Sequence, residues 1–456
     1  MTIGELSDEV LLRIFRYFLD SSPWVWPILV HLCRKWRHLV FTSHRALHLR
    51  LLCTHGTPVL KALDLWPALP IALDYGGSPA LNPPAPEDGD NIMAALEHCG
   101  RVRSISLTVT KSLLERFSKV KGHFDELGNL VLLSQDQLTL PSTFRWGSRL
   151  RSLHLTGIAP FGLPELLSSS KCIVDIQLHE IPGIGFCTPQ PLLKALSRMT
   201  QLQSLSLRLL PDTALIAGPH PPRHYAVLPT LTYLKYQGTG ECLNELLALI
   251  RAPRLAGLEI TSFDEPIISP SCLLESQMEM QMSYLRSDIL FSEHSFSVSL
   301  TRPASTECFR YQVFCKPFSR QLSSLADFFT RFSAFVSSVE DLRICVTPTL
   351  SGQTVNDREE WLKLIHAFEG AKWFHLAGNS DFTTEIALAL QSSETVLPAL
   401  HKLYIQEPVS GFAPLQEAVT LFMHSRLNSC HVIGVEYERR QRPFPYQLDE
   451  IGTTFV

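Results

Sequence analysis

A six-residue pattern, apolar-x-x-apolar-x-apolar, recurs along most of the chain and limits the folds that it can adopt. In a short strand, the fourth and sixth residues of this pattern point to one side and the residues between them point to the other. Stacked copies therefore predict a solenoid whose parallel sheet has an inner apolar column. The copies begin at Val102, Leu127, Leu150, Ile173, Leu202, Leu231, Leu255, Val339, Ala371 and Leu400.

The spacing of the copies is typical of leucine-rich repeats. Successive copies begin 23 to 32 residues apart, except for one interval of 84 residues, and this is the length range of such repeats. Helix-like stretches follow most copies, as at residues 163–167, 242–250, 357–368 and 415–422. The predicted fold is α/β, with a leucine-rich-repeat solenoid over residues 91–435 that has a parallel β-sheet on its concave face and helices outside.

The long interval between Leu255 and Val339 is irregular. It contains the alternating segments FSVSL and FRYQVF, which are typical of strands, and then a helical run from Leu322 to Val336. Two interpretations of residues 262–338 stay open. They are degenerate repeats with antiparallel or bulged strands, or they are an inserted subdomain.

The N-terminal segment from Leu6 to Leu19 carries apolar residues around much of a helix. Ser7 can cap this helix, and Asp8 and Glu9 lie in its first turn, where acidic side chains favour the positive end of the helix dipole. At about 100° per residue the apolar side chains cover an arc of roughly 220°, whereas packing on one core needs an arc of order 100°. The helix is therefore expected to have two apolar neighbours.

The rest of the N-terminal region predicts a helical domain and a linker. A second helix is predicted over residues 28–41, with Pro27 in its first turn, and a third apolar segment covers residues 46–52. Residues 1–52 are thus expected to form a three-helix domain. Residues 67–90 hold six prolines and three glycines, so residues 53–90 are expected to form a linker that is partly extended and partly mobile. Residues 436–456 are expected to form a C-terminal tail.

Composition excludes several classes of protein. The chain is 45% hydrophobic and 18% charged with a net charge of -4, which is typical of a folded chain and provides no basic excess for nucleic-acid phosphates. Its 11 cysteines form no CxxC motif, which favours reduced thiols. The first residues are acidic, and no uncharged apolar run of about 18 residues occurs. We therefore expect a protein of the cytoplasm or nucleus that binds neither nucleic acid nor membranes.

Catalytic motifs are absent from the sequence. There is no GxSxG elbow and no Gly-Lys pair for a phosphate loop. His44 and His48 lie four residues apart, but the glutamate of an HExxH metal site is missing. We expect no catalytic residues, no metal and no cofactor, and thus no enzyme. A hydrolase with a paired cysteine and histidine is the more remote alternative.

Two N-terminal segments, LSDEVLLRIFRYF from Leu6 and VHLCRKWRHL from Val30, resemble the two halves of the F-box. Ser7 stands where that family usually has proline. The resemblance implies helices that pack on one another and also on a Skp-type adaptor, which connects them to a cullin-RING ubiquitin ligase. The alternative is a helical cap that seals the end of the solenoid. The residues that the resemblance assigns to the adaptor contact are Leu6, Val10, Leu11, Ile14, Phe15, Leu32, Cys33 and Trp36.

The similarity extends beyond these segments. HLRLLCTHGTPVLK from His48, DLWPALPI from Asp64, NIMAALEH from Asn91 and VLPAL from Val396 are similar to segments of a large fungal group of F-box proteins with degenerate leucine-rich repeats. The similarity covers nearly the full chain. It implies a non-catalytic substrate-receptor subunit of a Skp-cullin-F-box type ubiquitin ligase, whose repeats bind a target protein. The alternative is a leucine-rich-repeat scaffold that acts outside any ubiquitin ligase.

The residues between the buried repeat positions are candidates for target binding. If the repeats stack as predicted, these residues line the concave face, where they mix both charges with aromatic groups as protein-binding surfaces do. A strand face must also be polar on its open side, so many of them can be ordinary solvated residues. The candidates are His154, Asp175, Gln177, His179, Arg208, Tyr233, Lys235, Glu259, Arg343, Trp373, His375 and Tyr404.

Overall fold

The computed structural model divides the chain into two compact units. The first unit ends at Leu231 and the second begins at Thr232, a division that falls inside the range predicted as one solenoid. Each unit combines helices with a mostly parallel β-sheet, so the α/β class is confirmed. The described residues are 6–21, 26–44, 47, 49–55, 57–66, 69–75, 86–140, 146–160, 167, 170–181, 194–209, 226–263, 284–302, 308–315, 317–347, 358–378, 380–391, 396–406, 412–428 and 434–438.

The described part of the first unit begins with helices α1 (Asp8–Ser21), α2 (Trp26–Leu32) and α3 (Arg34–Thr42). The Ser7 hydroxyl accepts a hydrogen bond from the Val10 amide at 3.5 Å and so caps α1, as predicted. The single helix predicted over residues 28–41 is wrong, because the backbone of Cys33 is extended, with φ of −156°. Its sulfur accepts a hydrogen bond from the Trp36 amide, which starts α3 as a separate helix.

A parallel sheet forms the body of the first unit, and its strands follow one another in chain order. They are β1 (Leu51–Cys53), β2 (Ile71–Tyr75), β3 (Val102–Thr108), β4 (Asn129–Leu140), β5 (Ser152–Pro160), β6 (Asp175–Ile181) and β7 (Ser204–Leu209). Parallel neighbours need crossover connections. Those between the first four strands contain α4 (Val59–Leu65), α5 (Pro86–Leu96) and α6 (Lys111–Phe117), and the short strand β8 (Ala226–Val227) follows β7.

The segment 53–90 contains secondary structure where its prolines and glycines predict a linker. Helix α4, strand β2 and the start of α5 fall within it, and β2 pairs with both β1 and β3. The strand residues IALDY are mostly buried, so β2 is part of the core of this unit. Pro70 precedes β2 and accepts a hydrogen bond from the Leu51 amide at 2.7 Å, so this proline borders the sheet. Residues 76–85 lie outside the described residues.

The second unit contains a sheet whose strands do not all follow chain order. The described order is β9 (Tyr233–Gly238), β11 (Gly257–Ser262), β14 (Cys308–Phe314), β13 (Ser295–Thr301), β12 (Arg286–Phe291), β15 (Asp341–Val346), β16 (Trp373–Ala377), β17 (Lys402–Gln406) and β18 (Gly434–Glu438). The short strand β10 (Ile250–Arg251) precedes β11 in the chain. The helices of this unit are α7 (Gly240–Leu249), α8 (Phe318–Arg331), α9 (Ser333–Val336), α10 (Arg358–His366), α11 (Ser380–Gln391) and α12 (Phe412–Asn428).

The irregular interval 262–338 contributes strands β12, β13 and β14 to this same sheet. Strand β13 is antiparallel to both of its neighbours, while β14 is parallel to β11 and β12 is parallel to β15. The described residues of this interval therefore match the antiparallel-strand interpretation. At the other end of the unit, the predicted tail begins inside β18, which pairs with β17. None of the described helices is long and apolar enough to cross a membrane.

The fourth and sixth residues of every repeat copy are buried, as the alternation predicts. Each is at most 4% exposed, and in the first unit they are register partners on successive strands, as in the series Ile105, Leu130, Leu153, Ile176 and Leu205. Burying one such side chain contributes about 1.5–3 kcal/mol. The repeated pattern therefore supplies an apolar column on one side of each sheet.

Gly370 lies in the turn before β16, where a side chain has no room. A Cβ at this position would lie 2.2 Å from the backbone oxygen of Ser337. We expect Gly370→Ala to lower the free energy of unfolding by about 2 kcal/mol, measured as a shift of the urea midpoint by circular dichroism. Gly434→Ala is the matched control in the same unit, because the atom nearest to its Cβ is Lys402 Cγ at 3.6 Å. Equal shifts for the two variants would contradict this account.

Candidate functional site

Helices α1 and α2 expose a group of large apolar side chains, which we call the α1–α2 apolar surface. On α1 the exposed positions are spaced as i, i+4, i+7 and i+8, so they form one stripe. On α2 they are spaced as i and i+4. Their exposed fractions run from 41% to 80%, and large apolar side chains that stay exposed side by side on one helix mark interaction sites. The residues are Val10, Ile14, Tyr17 and Phe18 on α1 and Ile28 and Leu32 on α2.

The opposite side of α1 is internal. Leu11 and Phe15 are at most 1% exposed, and the Phe15 ring packs edge-on against Trp36 with ring centroids 4.7 Å apart. Leu11 and Phe15, which the resemblance assigns to the adaptor contact, therefore fill the core between the helices. Trp36 is half-buried and serves the same core.

The other residues assigned to the adaptor contact are accessible. Val10, Ile14, Leu32 and Cys33 are exposed, and Leu6 is half-buried. Three exposed apolar residues of these helices were not part of the assignment. Ile28 lies four residues before Leu32 on the same helical face, and Tyr17 and Phe18 lie in the wide apolar arc of α1.

An aromatic cluster holds these helices against the beginning of the first sheet. Trp66 packs against Trp26 and Phe41, with ring centroids 5.4 Å and 4.7 Å apart. The Trp26 indole donates a hydrogen bond to the Arg50 carbonyl at 2.8 Å. The Arg101 guanidinium donates to the Trp66 carbonyl at 2.6 Å. Helices α2 and α3 are therefore joined to the end of α4, and through Arg50 and Arg101 to the residues that directly precede β1 and β3.

In the first unit, the five predicted target-binding residues share one face of the sheet. His154 pairs in register with Gln177, and Asp175 and His179 lie two residues to either side of Gln177 on β6. Arg208 is the register partner of His179. All five are partly exposed, while Leu153, Leu155, Ile176, Leu178, Leu207 and Leu209 beside them in the strands are buried. These five residues therefore share one strand face, as the sequence predicted, and their binding to a target stays a prediction.

Hydrogen bonds connect most of this face. The Asp175 carboxylate accepts from Ser152 at 3.3 Å and from Gln177 at 3.0 Å. The rings of His154 and His179 meet edge to face, with centroids 5.1 Å apart. Burial lowers the pKa of His154, and Asp175 partly opposes this shift. This face is rich in hydrogen-bonding groups.

In the second unit, one row of mostly charged residues crosses nine strands, and we call it the ionic row. Its basic and acidic members alternate along much of its length, so that Glu259 lies between Lys235 at 3.2 Å and Arg310 at 3.8 Å. Opposite charges on neighbouring strands are favourable, whereas like charges are not. The row is Lys235, Glu259, Arg310, Ser299, Asp288, Arg343, His375, Tyr404 and Glu436.

The middle of the ionic row is an arginine–aspartate network. Arg343 contacts Asp341 at 3.0 Å and Asp288 at 4.0 Å. Arg286 contacts Asp288 at 2.7 Å. His375 Nε2 lies 3.3 Å from Asp341. Burial and the Arg343 charge lower the pKa of His375 to about 4, against the opposing charge of Asp341.

Aromatic side chains lie beside this network. The His375 ring stacks on Tyr404, with centroids 4.2 Å apart and planes 5° from parallel, and the Lys402 ammonium lies 5.0 Å from the Tyr404 centroid. Trp373 is exposed on the same face. Tyr233 lies on β9 next to Gly257, whose missing side chain leaves room for its ring. The predicted target-binding residues of this unit thus all lie on one strand face.

The hydrolase alternative requires a reactive cysteine thiol paired with a histidine. His55 Nδ1 lies 3.0 Å from the Asp88 carboxylate near Cys53, but burial raises the pKa of the Cys53 thiol to about 11. A thiol that stays protonated is a poor nucleophile. Within the described ranges no group of three His, Cys, Asp or Glu side chains is placed to hold a metal ion.

A small cavity lies among the described residues of the second unit. It lies between helices α8 and α9 and the sheet, its volume is about 30 Å³, and its lining is apolar and includes Phe309, Phe328 and Val336. Because one water needs roughly 10–15 Å³, this cavity is too small for a substrate.

No family model matches this chain, and no curated protein matches it. The candidate surfaces therefore have to be interpreted from their own chemistry.

The low pKa of His375 makes the stability of the fold depend on pH. Between pH 6.5 and about 4 the unfolded chain binds a proton that folded His375 does not bind, so stability falls as the pH falls through this window, by about 3 kcal/mol at most. We expect His375→Gln to lose less stability than the wild type between these two pH values, measured from urea midpoints. His424→Gln, at an exposed histidine in the same unit, serves as the control. A His375→Gln profile identical to that of the wild type would contradict this prediction.

Proposed function

We propose that this protein is a non-catalytic substrate-receptor subunit of a Skp-cullin-F-box type ubiquitin ligase. Helices α1 and α2 bind a Skp-type adaptor, and the open strand faces bind a target protein. Partner subunits perform the transfer of ubiquitin. The single observation that carries this proposal is the α1–α2 apolar surface.

The physical case for the adaptor contact begins with α1. Its inner residues Leu11 and Phe15 already fill the core between the helices, yet a second apolar stripe remains in water. Exposing such a stripe in a free monomer has a free-energy cost that a partner removes by covering it. Ser7, which replaces the usual proline of the F-box, still caps α1. The departure from the family pattern therefore leaves the start of the helix intact.

The case for a fixed geometry rests on the aromatic cluster. Trp26 on α2 and Phe41 on α3 pack on Trp66 at the end of α4, and the Trp26 indole donates a hydrogen bond to the Arg50 carbonyl just before β1. A receptor must hold its target at a defined position relative to the ligase, and packed aromatic rings restrict motion between the two parts. We interpret the sheets as leucine-rich-repeat solenoids, because the repeat pattern and the buried column have the same period.

The case for target binding rests on the composition of the strand faces. Tryptophan, tyrosine and arginine dominate the binding energy of protein interfaces. The second unit presents Trp373, Tyr404 and Arg343 on one face. The first unit presents hydrogen-bonding groups on the corresponding face of its own sheet. Neither face needs a cofactor to bind a protein.

The adaptor contact is tested by co-expression of the full chain with a Skp-type adaptor and size-exclusion chromatography. We expect the wild type to co-elute with the adaptor. Ile14→Asp places a charge in the apolar stripe and should weaken the complex by about tenfold or more, because burying an unpaired charge costs at least 1.4 kcal/mol. The folded state of each variant is checked by circular dichroism.

Leu60→Asp is the matched control for this test. Leu60 is 65% exposed on α4, so the substitution makes the same chemical change on an exposed apolar residue outside α1 and α2. It should leave the complex intact. A folded wild-type chain that never binds the adaptor would contradict the ligase proposal and would favour the leucine-rich-repeat scaffold acting outside any ubiquitin ligase.

A further inference from the structure

The neighbouring strands β4, β5 and β6 of the first unit each become irregular, and they do so at register-paired positions. The pairing of β4 with β5 is interrupted after Leu133. Gly157, directly after Thr156 on β5, has φ of +68°, and Glu180, directly after His179 on β6, has φ of +52°. Leu133, Thr156 and His179 are register partners. The irregularities therefore form one line across the sheet.

The bulge in β6 changes the direction of Glu180. In a regular strand Glu180 would point to the buried side, but here Ile181 takes that position and pairs with β7. His179 and Glu180 consequently both lie on the open face. A left-handed backbone at a residue other than glycine costs of order 1 kcal/mol, and bulges often direct side chains beside binding sites.

The Glu180 carboxylate contacts the guanidinium of Arg208. The distance from Oε1 to NH1 is 3.4 Å, and both side chains are partly exposed. An ion pair in such a position contributes only about 0–1 kcal/mol. A guanidinium can also bind a carboxylate through two parallel N–H donors. A carboxylate from another molecule can therefore replace Glu180 at little cost.

Further polar groups surround this ion pair. His179 Nε2 lies 2.9 Å from the Ser206 hydroxyl, and His154 Nε2 lies 3.1 Å from the Thr156 hydroxyl. Imidazoles and hydroxyls can each donate to an oxyanion. Among the described residues, Asp175 and Asp136 are the other acidic groups on β6 and β4, and Asp175 already accepts from Ser152 and Gln177.

We propose that these groups form a site for a carboxylate side chain of a target protein, and that Glu180 occupies this site in the free chain. The bulge site consists of His154, Thr156, His179, Glu180, Ser206 and Arg208. This inference rests on the target-binding half of the proposed function and is independent of the adaptor contact. It names the chemistry of the target as an acidic peptide segment.

The test measures fluorescence anisotropy of fluorescein-labelled hexaglutamate and hexaglutamine with the full chain at low salt. We expect hexaglutamate to bind more tightly than hexaglutamine, although the protein carries a net charge of -4. Arg208→Gln should weaken hexaglutamate binding by about tenfold. Glu180→Gln should strengthen it by about threefold, because an internal competitor is removed.

These opposite signs separate a binding role from a structural one. If Arg208 and Glu180 only stabilise each other, both variants lower stability and neither alters peptide affinity in these directions. Arg149 and Glu126 form another ion pair in the same unit, with NH1 and Oε1 2.6 Å apart. Arg149→Gln and Glu126→Gln are therefore the matched controls, and both should leave hexaglutamate binding unchanged.

Three results would overturn the proposal. They are equal binding of the two peptides, unchanged affinity in Arg208→Gln, and weaker binding in Glu180→Gln. Inorganic phosphate is titrated separately, and binding of phosphate without binding of hexaglutamate would replace the carboxylate site by a phosphate site. Because no adaptor is present, failure here leaves the adaptor contact standing, and failure of the adaptor contact leaves this site standing.

Discussion

Register is the constraint on which the rest of this structure depends. In the first unit, the buried residues of one strand pair with the buried residues of the next, as from Leu153 to Ile176 to Leu205. A slip of one residue would turn every such side chain to the open face. The same pairing also sets the register of the polar residues between the buried ones. These polar residues therefore lie in rows across the strands. Between β12 and β15 a shift by two residues is penalised as well, because Arg286 now lies opposite Asp341 and Asp288 opposite Arg343, and after the shift like charges would meet.

The sequence predicted the parts of the fold that follow from this period. It located the strands of the repeats, their buried positions and the residues of the open faces, because these properties depend only on alternation. It did not predict the break at Cys33, because apolar residues with helical spacing continue through that position. This spacing also does not reveal that the Cys33 sulfur caps α3. Strand β2 was missed because prolines and glycines surround it, although its own residues are buried. Glu180 was missed because a bulge depends on its neighbouring strands.

The candidate sites show the same limit. A wide apolar arc indicates that α1 has two neighbours, but the sequence cannot say which residues face which neighbour. Packing against Trp36 assigns Phe15 to the inside, and this leaves Ile14 and Tyr17 for a partner. On the strand faces, the sequence predicts which residues lie on the same face, but it does not predict which of their side chains contact one another. The loose pair of Glu180 with Arg208 depends on a left-handed backbone that the pattern does not encode.

The central claim is that a Skp-type adaptor covers α1 and α2. Amide hydrogen exchange of the full chain, with and without saturating adaptor, tests it most directly, because it reports each helix separately and needs no substitution. The account predicts slower exchange in residues 8–21 and 26–32 when the adaptor is present, and unchanged exchange in strands β5 to β7. Unchanged exchange in both helices at saturating adaptor would contradict it.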